Sequence, residues 1–291
     1  MSAPDSPRRQ LAVTAALALV LAGGCGQKAP AESASSAPSV SAPAPAPEPA
    51  PADPVATPGE PVKKPRPAAT RPKQGLMRNS GSAEGPISYL VVEPPKPAAD
   101  TPLVIALHGR GDTADAFAGL AEALDQPTRS IVGRAPLMWG NVGGRAWYVL
   151  GAPDEAAQIR ARVADLVTLA GQLRERYPEA PKPALYGFSQ GAVVSLQAAC
   201  DHPELWSAVV ALSGRLATSD GCPDGSGELP ILVVAGEKDR IIPAEQSWAA
   251  AETLTKLGRT VERFSFDGVH RVPREAVEAL RAFIAKHVLK P

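Results

Sequence analysis

Leu185-Tyr186-Gly187-Phe188-Ser189-Gln190-Gly191 is the stretch from which the rest of the chain is read. Its core is G-x-S-x-G, the pattern of a strand that turns into a helix so sharply that the serine hydroxyl is left standing at the bend. The glycines are steric requirements. A side chain at 187 or 191 would collide across the turn or hold the following helix away from the sheet. Five residues alone are weak evidence, so the flanks carry the argument. Pro183-Ala184-Leu185-Tyr186 reads as a short buried strand, and Ala192 to Ala199 reads as a compact helix of small and apolar residues.

Outward from this turn, strands and helices alternate. Ile87 to Val92 and Leu103 to Leu107 are apolar strands, and the second runs into His108-Gly109-Arg110-Gly111-Asp112. A helix with Phe117, Leu120 and Leu124 on one face follows, then a short strand at Ile131-Val132 and a loop from Arg134 to Tyr148. Pro153-Asp154-Glu155 opens a long helix that carries an apolar stripe of Ile159, Val163, Leu166, Val167, Ala170 and Leu173 and ends at Tyr177-Pro178. Beyond the serine, strands at Ala208 to Leu212, Ile231 to Ala235 and Val261 to Phe266 alternate with helices at Ala244 to Leu257 and Pro273 to about Leu289. This alternation predicts an α/β fold with a mostly parallel sheet, helices on both faces and no insertion long enough for a large lid.

The N-terminal part is different. Arg8 and Arg9 precede an apolar run from Leu11 to Ala22 that is too short to span a bilayer, the layout of an export signal. Leu21-Ala22-Gly23-Gly24-Cys25 resembles a bacterial lipobox, which implies lipidation of Cys25 and a membrane-anchored, exported protein; the alternative is a secreted one. From Gly26 to Gly75, thirteen of fifty residues are proline, most of the others being Ala, Ser, Glu and Lys. Such a stretch buries too little apolar surface to offset its ordering entropy and reads as an extended tether. The expected layout is therefore a signal and lipidated cysteine over residues 1–25, a Pro/Ala-rich linker over 26–80 and one catalytic domain over 81–291.

Composition removes other classes. The 291 residues carry 30 Lys+Arg and 30 Asp+Glu, for a formal net charge of zero, so nothing favours a nucleic-acid partner. The three cysteines, Cys25, Cys200 and Cys222, form no CxxC or Cys/His cluster of the kind that holds a structural metal.

A serine hydroxyl needs a general base, and the base needs a carboxylate that fixes its tautomer. Following this type of turn, acid and histidine come later in the chain, in that order. Of the four histidines, His108 precedes the serine, His202 lies near the end of the helix after it, and His287 lies well inside the last helix. His270, just past the final strand in Asp267-Gly268-Val269-His270, remains as the base. Gly236-Glu237-Lys238-Asp239, just past the preceding strand, supplies Asp239 as the acid, with Glu237 its near competitor and Asp267 less suited because it is so close to His270 in sequence. Two N–H donors are needed for a developing oxyanion. Gln190 supplies one, and the loop His108 to Gly111 supplies the other, for which Arg110 is the choice. The loop holding Trp139 and Trp147 should border this site, and both are candidate substrate contacts, with at least one expected to touch substrate.

These motifs, together with Arg145-Ala146-Trp147-Tyr148, Pro243 after Asp239 and Pro273 after His270, resemble the carboxylesterase/phospholipase family of α/β-hydrolases, which includes acyl-protein thioesterases. The resemblance spans roughly residues 85 to 290. It implies a serine hydrolase without cofactor or metal that cleaves small or extended carboxylic esters or thioesters through an acyl-enzyme. Arg110, where the family often has an apolar residue, and Arg271, directly after the histidine, depart from its pattern. Other readings are a catalytically silent binding or scaffold lipoprotein, a dienelactone-hydrolase-like enzyme and a peptidase. A complete Ser, Asp and His in order speaks against the first, and the cysteine nucleophile of dienelactone hydrolases against the second.

If Cys25 is consumed by a lipid, an exported chain tends to pair the two that remain. Cys200 ends the helix that starts at the serine, and Cys222 lies on the connection back to the start of strand Ile231 to Ala235. Both therefore reach the sheet edge opposite Ser189. The expected bridge closes a loop of about twenty residues, worth roughly 3 kcal/mol.

Overall fold

The computed structural model describes residues 77–81, 85–225 and 229–289; the expected signal, Cys25 and almost all of the expected linker lie outside them. Ten strands are described: β1 (Met77–Gly81), β2 (Tyr89–Glu93), β3 (Leu103–Leu107), β4 (Arg129–Gly133), β5 (Leu137–Trp139), β6 (Gly144–Ala146), β7 (Ala184–Phe188), β8 (Val209–Leu212), β9 (Pro230–Gly236) and β10 (Thr260–Phe266). The helices are α1 (Ala114–Leu124), α2 (Glu155–Arg176), α3 (Gln190–Asp201), α4 (Ala244–Lys256) and α5 (Arg274–His287).

Eight strands form one sheet in the order β1-β2-β4-β3-β7-β8-β9-β10. β2 runs antiparallel to both β1 and β4, and every pairing from β4 to β10 is parallel. The central strands are apolar throughout because both faces are covered, and side chains of period two divide between two cores. In β3, Leu103, Ile105 and Leu107 pack with α2, α3 and α4, whereas Val104 and Ala106 pack with α1 and α5. β7, β8 and β9 divide in the same way: Leu185, Val209 and Ile231 face the first core, and Tyr186, Val210 and Leu232 the second. This is an α/β-hydrolase fold with helices flanking a mostly parallel sheet.

Two boundaries differ from the sequence expectation. Residues 77–80, assigned to the linker on composition, belong to β1, which pairs with β2 from Met77↔Glu93 to Gly81↔Tyr89. Their strand is defined by pairing with a neighbour and not by an apolar pattern of their own. The stretch Arg134 to Tyr148, expected as a loop, contains the two-stranded β5–β6 hairpin. Its strands are three residues each, and the hairpin is held from outside by Asp112, which bridges to Arg145. The stripe of α2 also shifts slightly: Leu169 is fully buried and Val167 only partly.

Cys200 and Cys222 are joined in a disulfide with Cα atoms 5.2 Å apart, at the end of α3 remote from Ser189. The bridge ties that helix end to the segment that follows β8 and closes a loop with a sequence separation of 22, consistent with a contribution of about 3 kcal/mol.

Candidate active site

β3 lies between β4 and β7, so the chain leaves β3 in one direction along the sheet while β7 starts the other. At such a switch point the loops beyond the C-terminal strand ends diverge and leave a crevice. The loop His108–Asp112 follows β3 here, and Ser189 follows β7. Ser189 adopts φ 55° and ψ −119°, an unfavourable conformation for a residue with a Cβ. The turn survives because its neighbours are glycines. A Cβ on Gly187 would run into the backbone of Gly191, and one on Gly191 into the carbonyls of Leu107 and His108.

The three residues singled out as base, acid and nucleophile are in line. The Ser189 hydroxyl donates to His270 Nε2 at 2.8 Å, and His270 Nδ1–H donates to Asp239 Oδ2 at 2.6 Å. Asp239 Oδ1 accepts from the N–H groups of Ile241 at 2.9 Å and Ile242 at 3.0 Å, so both carboxylate oxygens are engaged. Burial alone would raise the Asp239 pKa, but the hydrogen bonds from His270, Ile242 and Ile241 together with the imidazole charge outweigh it and hold the carboxyl below its ordinary range. Neither competitor reaches the histidine: Glu237 accepts from Ser265 Oγ at 2.8 Å, and Asp267 pairs with Lys238 at 2.6 Å. The Phe188 ring lies 4.8 Å from that of His270 and supports its orientation.

Arg110 and Gln190 flank the serine. Gln190 is the first residue of α3, so its N–H has no acceptor within the helix. A Cβ on Gly109 would lie 3.4 Å from Ser189 Cβ, which brings the β3 loop against the nucleophile. In that loop Gly111 N–H bonds to Arg145 O and Asp112 N–H to Gly109 O, while Arg110 N–H makes no backbone hydrogen bond among the described residues. Thr113 Oγ caps the start of α1 by accepting from Ala116 N–H, which fixes where the loop ends.

The two tryptophans part company. Trp139 is 44% exposed on the hairpin, beneath the Arg110 guanidinium at 5.7 Å and against Gly111. Trp147 is 1% exposed, and its indole N–H donates to His108 O at 2.8 Å. The expectation that Trp147 touches substrate is therefore corrected. Its ring fills the core beside Gly133 and His108, and it supports the loop from behind.

Two supports were not legible as such. His108, set aside as a base, is fully buried, and its Nε2 accepts from Ala135 N–H at 3.3 Å, so the proton resides on Nδ1 and is donated to Gly109 O at 2.8 Å. Burial holds it below its ordinary pKa of 6.5, in keeping with a neutral ring. The Gln190 side chain accepts from Trp147 N–H and donates to Tyr148 O, each at 3.0 Å, clasping the end of the hairpin loop to the start of α3. The G-x-S-x-G pattern is blind to the side chain at 190, and the histidine count offered no role for one buried beneath the loop.

A family model described as Phospholipase/Carboxylesterase matches residues 88–288. The esterase YpfH of Escherichia coli is 29% identical over 214 residues, covering 68% of this chain and 89% of that protein. Acyl-protein thioesterase 1 of Gibberella zeae is 27% identical over 241 residues, covering 71% and 98%. Among solved structures, the Bacillus cereus carboxylesterase superposes with a TM-score of 0.62 at 16% identity, covering 70% of this chain and 96% of that one, a likeness of fold. With a family match across most of the described domain and the geometry above, the chain belongs to the phospholipase/carboxylesterase family and is a hydrolase of esterase or thioesterase type.

Proposed function

We propose that this chain hydrolyses carboxylic esters or thioesters through an acyl-enzyme on Ser189. The observation that carries the reading is the unbroken line from Asp239 through His270 to the Ser189 hydroxyl, at 2.6 and 2.8 Å. As Ser189 Oγ attacks the acyl carbon, its proton passes to His270 Nε2, and the ionised Asp239 stabilises the resulting imidazolium. The carbonyl oxygen becomes an oxyanion between the N–H groups of Gln190 and Arg110, each worth about 3 kcal/mol when well placed. Collapse expels the alcohol or thiol, which takes the proton from His270. Water then repeats the sequence on the acyl-enzyme, giving the acid and regenerating Ser189. A fluorophosphonate probe tests this directly: an adduct on Ser189 of the folded protein, absent in Ser189→Ala, is expected, and no adduct would sink it.

We also propose that the mature protein is exported and tethered to a membrane through a lipid on Cys25. The support is the signal-like N-terminus and the Cys200–Cys222 disulfide, a bond that persists in oxidising compartments. Fractionation tests it: the protein should follow the membranes, and Cys25→Ser should release it. Equal behaviour of the two forms would discard the anchor.

A further inference from the structure

A cleft of ≈ 470 Å³ opens directly beside the catalytic line, walled by Lys238, Arg240, Ile241, Val269 and His270. Its position has a chemical meaning that rests on the proposed hydrolysis. His270 returns the proton to the departing oxygen or sulfur, so the leaving group must lie against that ring. A cleft with His270 in its wall is then on the leaving-group side of the scissile bond.

The walls describe the occupant. Ile241 and Val269 are apolar yet 64% and 55% exposed, so they offer apolar surface to a stem. The charges are mostly committed. Lys238 is paired with Asp267, Asp239 is engaged by His270 and two backbone N–H groups, and Glu237 is turned to Ser265. Arg240 is exposed and pairs with no acid among the described residues. A guanidinium presents donors in a fixed fork that matches carboxylate, sulfonate and phosphate oxygens.

We propose that this cleft is a leaving-group subsite for an alcohol or thiol with a short apolar stem ending in an anionic group, and that Arg240 is the residue that selects the charge. The substrates favoured are esters or thioesters that release an anionic alcohol or thiol. An uncharged or cationic leaving group leaves the guanidinium unpaired or repelled.

The test uses three butyryl thioesters with matched two-carbon stems, of 2-mercaptoethanesulfonate, 2-mercaptoethanol and thiocholine, with thiol release measured. The sulfonate should have the highest kcat/KM and thiocholine the lowest, the neutral compound trailing the anion by roughly threefold to fivefold at low salt and by less at high salt. Arg240→Gln should bring that ratio close to one, and Arg240→Lys should keep part of it. Arg271→Gln should preserve the ratio, because the Arg271 side chain lies over Gly268 and is not a wall of the cleft. Equal turnover of all three compounds, a ratio indifferent to Arg240→Gln, or equal loss in Arg271→Gln would overturn the subsite and leave the hydrolase standing. No thiol from the sulfonate compound in a protein whose Ser189 still takes a fluorophosphonate would overturn it too. No thiol from any compound together with no adduct would remove the hydrolase reading itself.

Discussion

Behind Ser189, α3 is buried from Gln190 to Cys200, and the His108, Trp147 and Gln190 side chains hydrogen-bond to the backbone of Gly109, His108 and Trp147 respectively. In front of it, the large hydrophobic side chains most exposed among the described residues gather on the β5–β6 hairpin, at Val149 and Leu150, and at Ile241 and Val269 beside the acid and the base. The two regions touch the same serine but obey different constraints. A strained nucleophile and a pair of oxyanion donors gain from being over-determined, since misplacement by an ångström is costly. A rim that receives substrate must leave its apolar surface uncovered until substrate arrives. Chemistry should therefore be sensitive to changes behind the serine, and selectivity to changes in front of it.

The largest effect expected breaks the chemistry itself. Ser189→Ala or His270→Ala should cost on the order of a million-fold in kcat, and Asp239→Asn less, about ten-thousand-fold. Thermal denaturation of Ser189→Ala should stay close to the wild type. Near-normal turnover in that variant would end the assignment.

Next comes the rear wall itself. Gly191→Ala places a methyl group against the Leu107 and His108 carbonyls, backbone atoms that cannot move without parting α3 from β3. A loss of about 3 kcal/mol is expected in denaturant unfolding, with activity falling alongside. An unchanged midpoint would show that the turn is looser than its geometry implies.

The tryptophans sharpen the contrast because they sit eight positions apart on one loop and belong to opposite sides. Trp147→Phe removes the hydrogen bond to His108 O and part of a buried ring, at a cost of about 1–3 kcal/mol, and should leave the preference among acyl chain lengths as it was. Trp139→Ala should change stability by less than about 1 kcal/mol and shift that preference. The reverse pattern would exchange their roles.

What the sequence disclosed follows the same division. β3, β7, β8 and β9 were legible because a strand covered on both faces must be apolar along its length. The catalytic line was legible because few histidines were available and the acid had to follow a particular strand. β1 was hidden because Met-Arg-Asn-Ser-Gly has no pattern of its own and is made a strand by β2. The supports were hidden because each joins segments far apart in the chain, Gln190 to Trp147 and His108 to Ala135, where no local periodicity signals a contact. Aromatic residues on a loop announce burial or binding without saying which, hence the error over Trp147.

The smallest effect expected probes the rear wall through pH. His108 is neutral in the folded protein, held below its ordinary 6.5 chiefly by burial. Protonating Nε2 would turn the acceptor of the Ala135 N–H into a second donor facing it, and would place a charge under the oxyanion loop. In the unfolded chain the same ring binds a proton near its ordinary value. Between the folded pKa and 6.5 the unfolded state therefore carries more protons at this residue, and stability rises with pH and is lost as pH falls. The depressed Asp239 acts in the same direction but below the ordinary carboxylate value of 3.8, outside the range from pH 7 to pH 5. Denaturant unfolding at pH 7 and pH 5 should show a loss for the wild type with a slope from this group of at most about 1.4 kcal/mol per pH unit. His108→Asn keeps a donor toward Gly109 O and removes the titration, so it should start less stable at pH 7 and lose less on acidification. Parallel profiles for the two proteins would mean that the ring accepts its proton in place, and that the loop beneath the oxyanion site is more yielding than the rear wall around it.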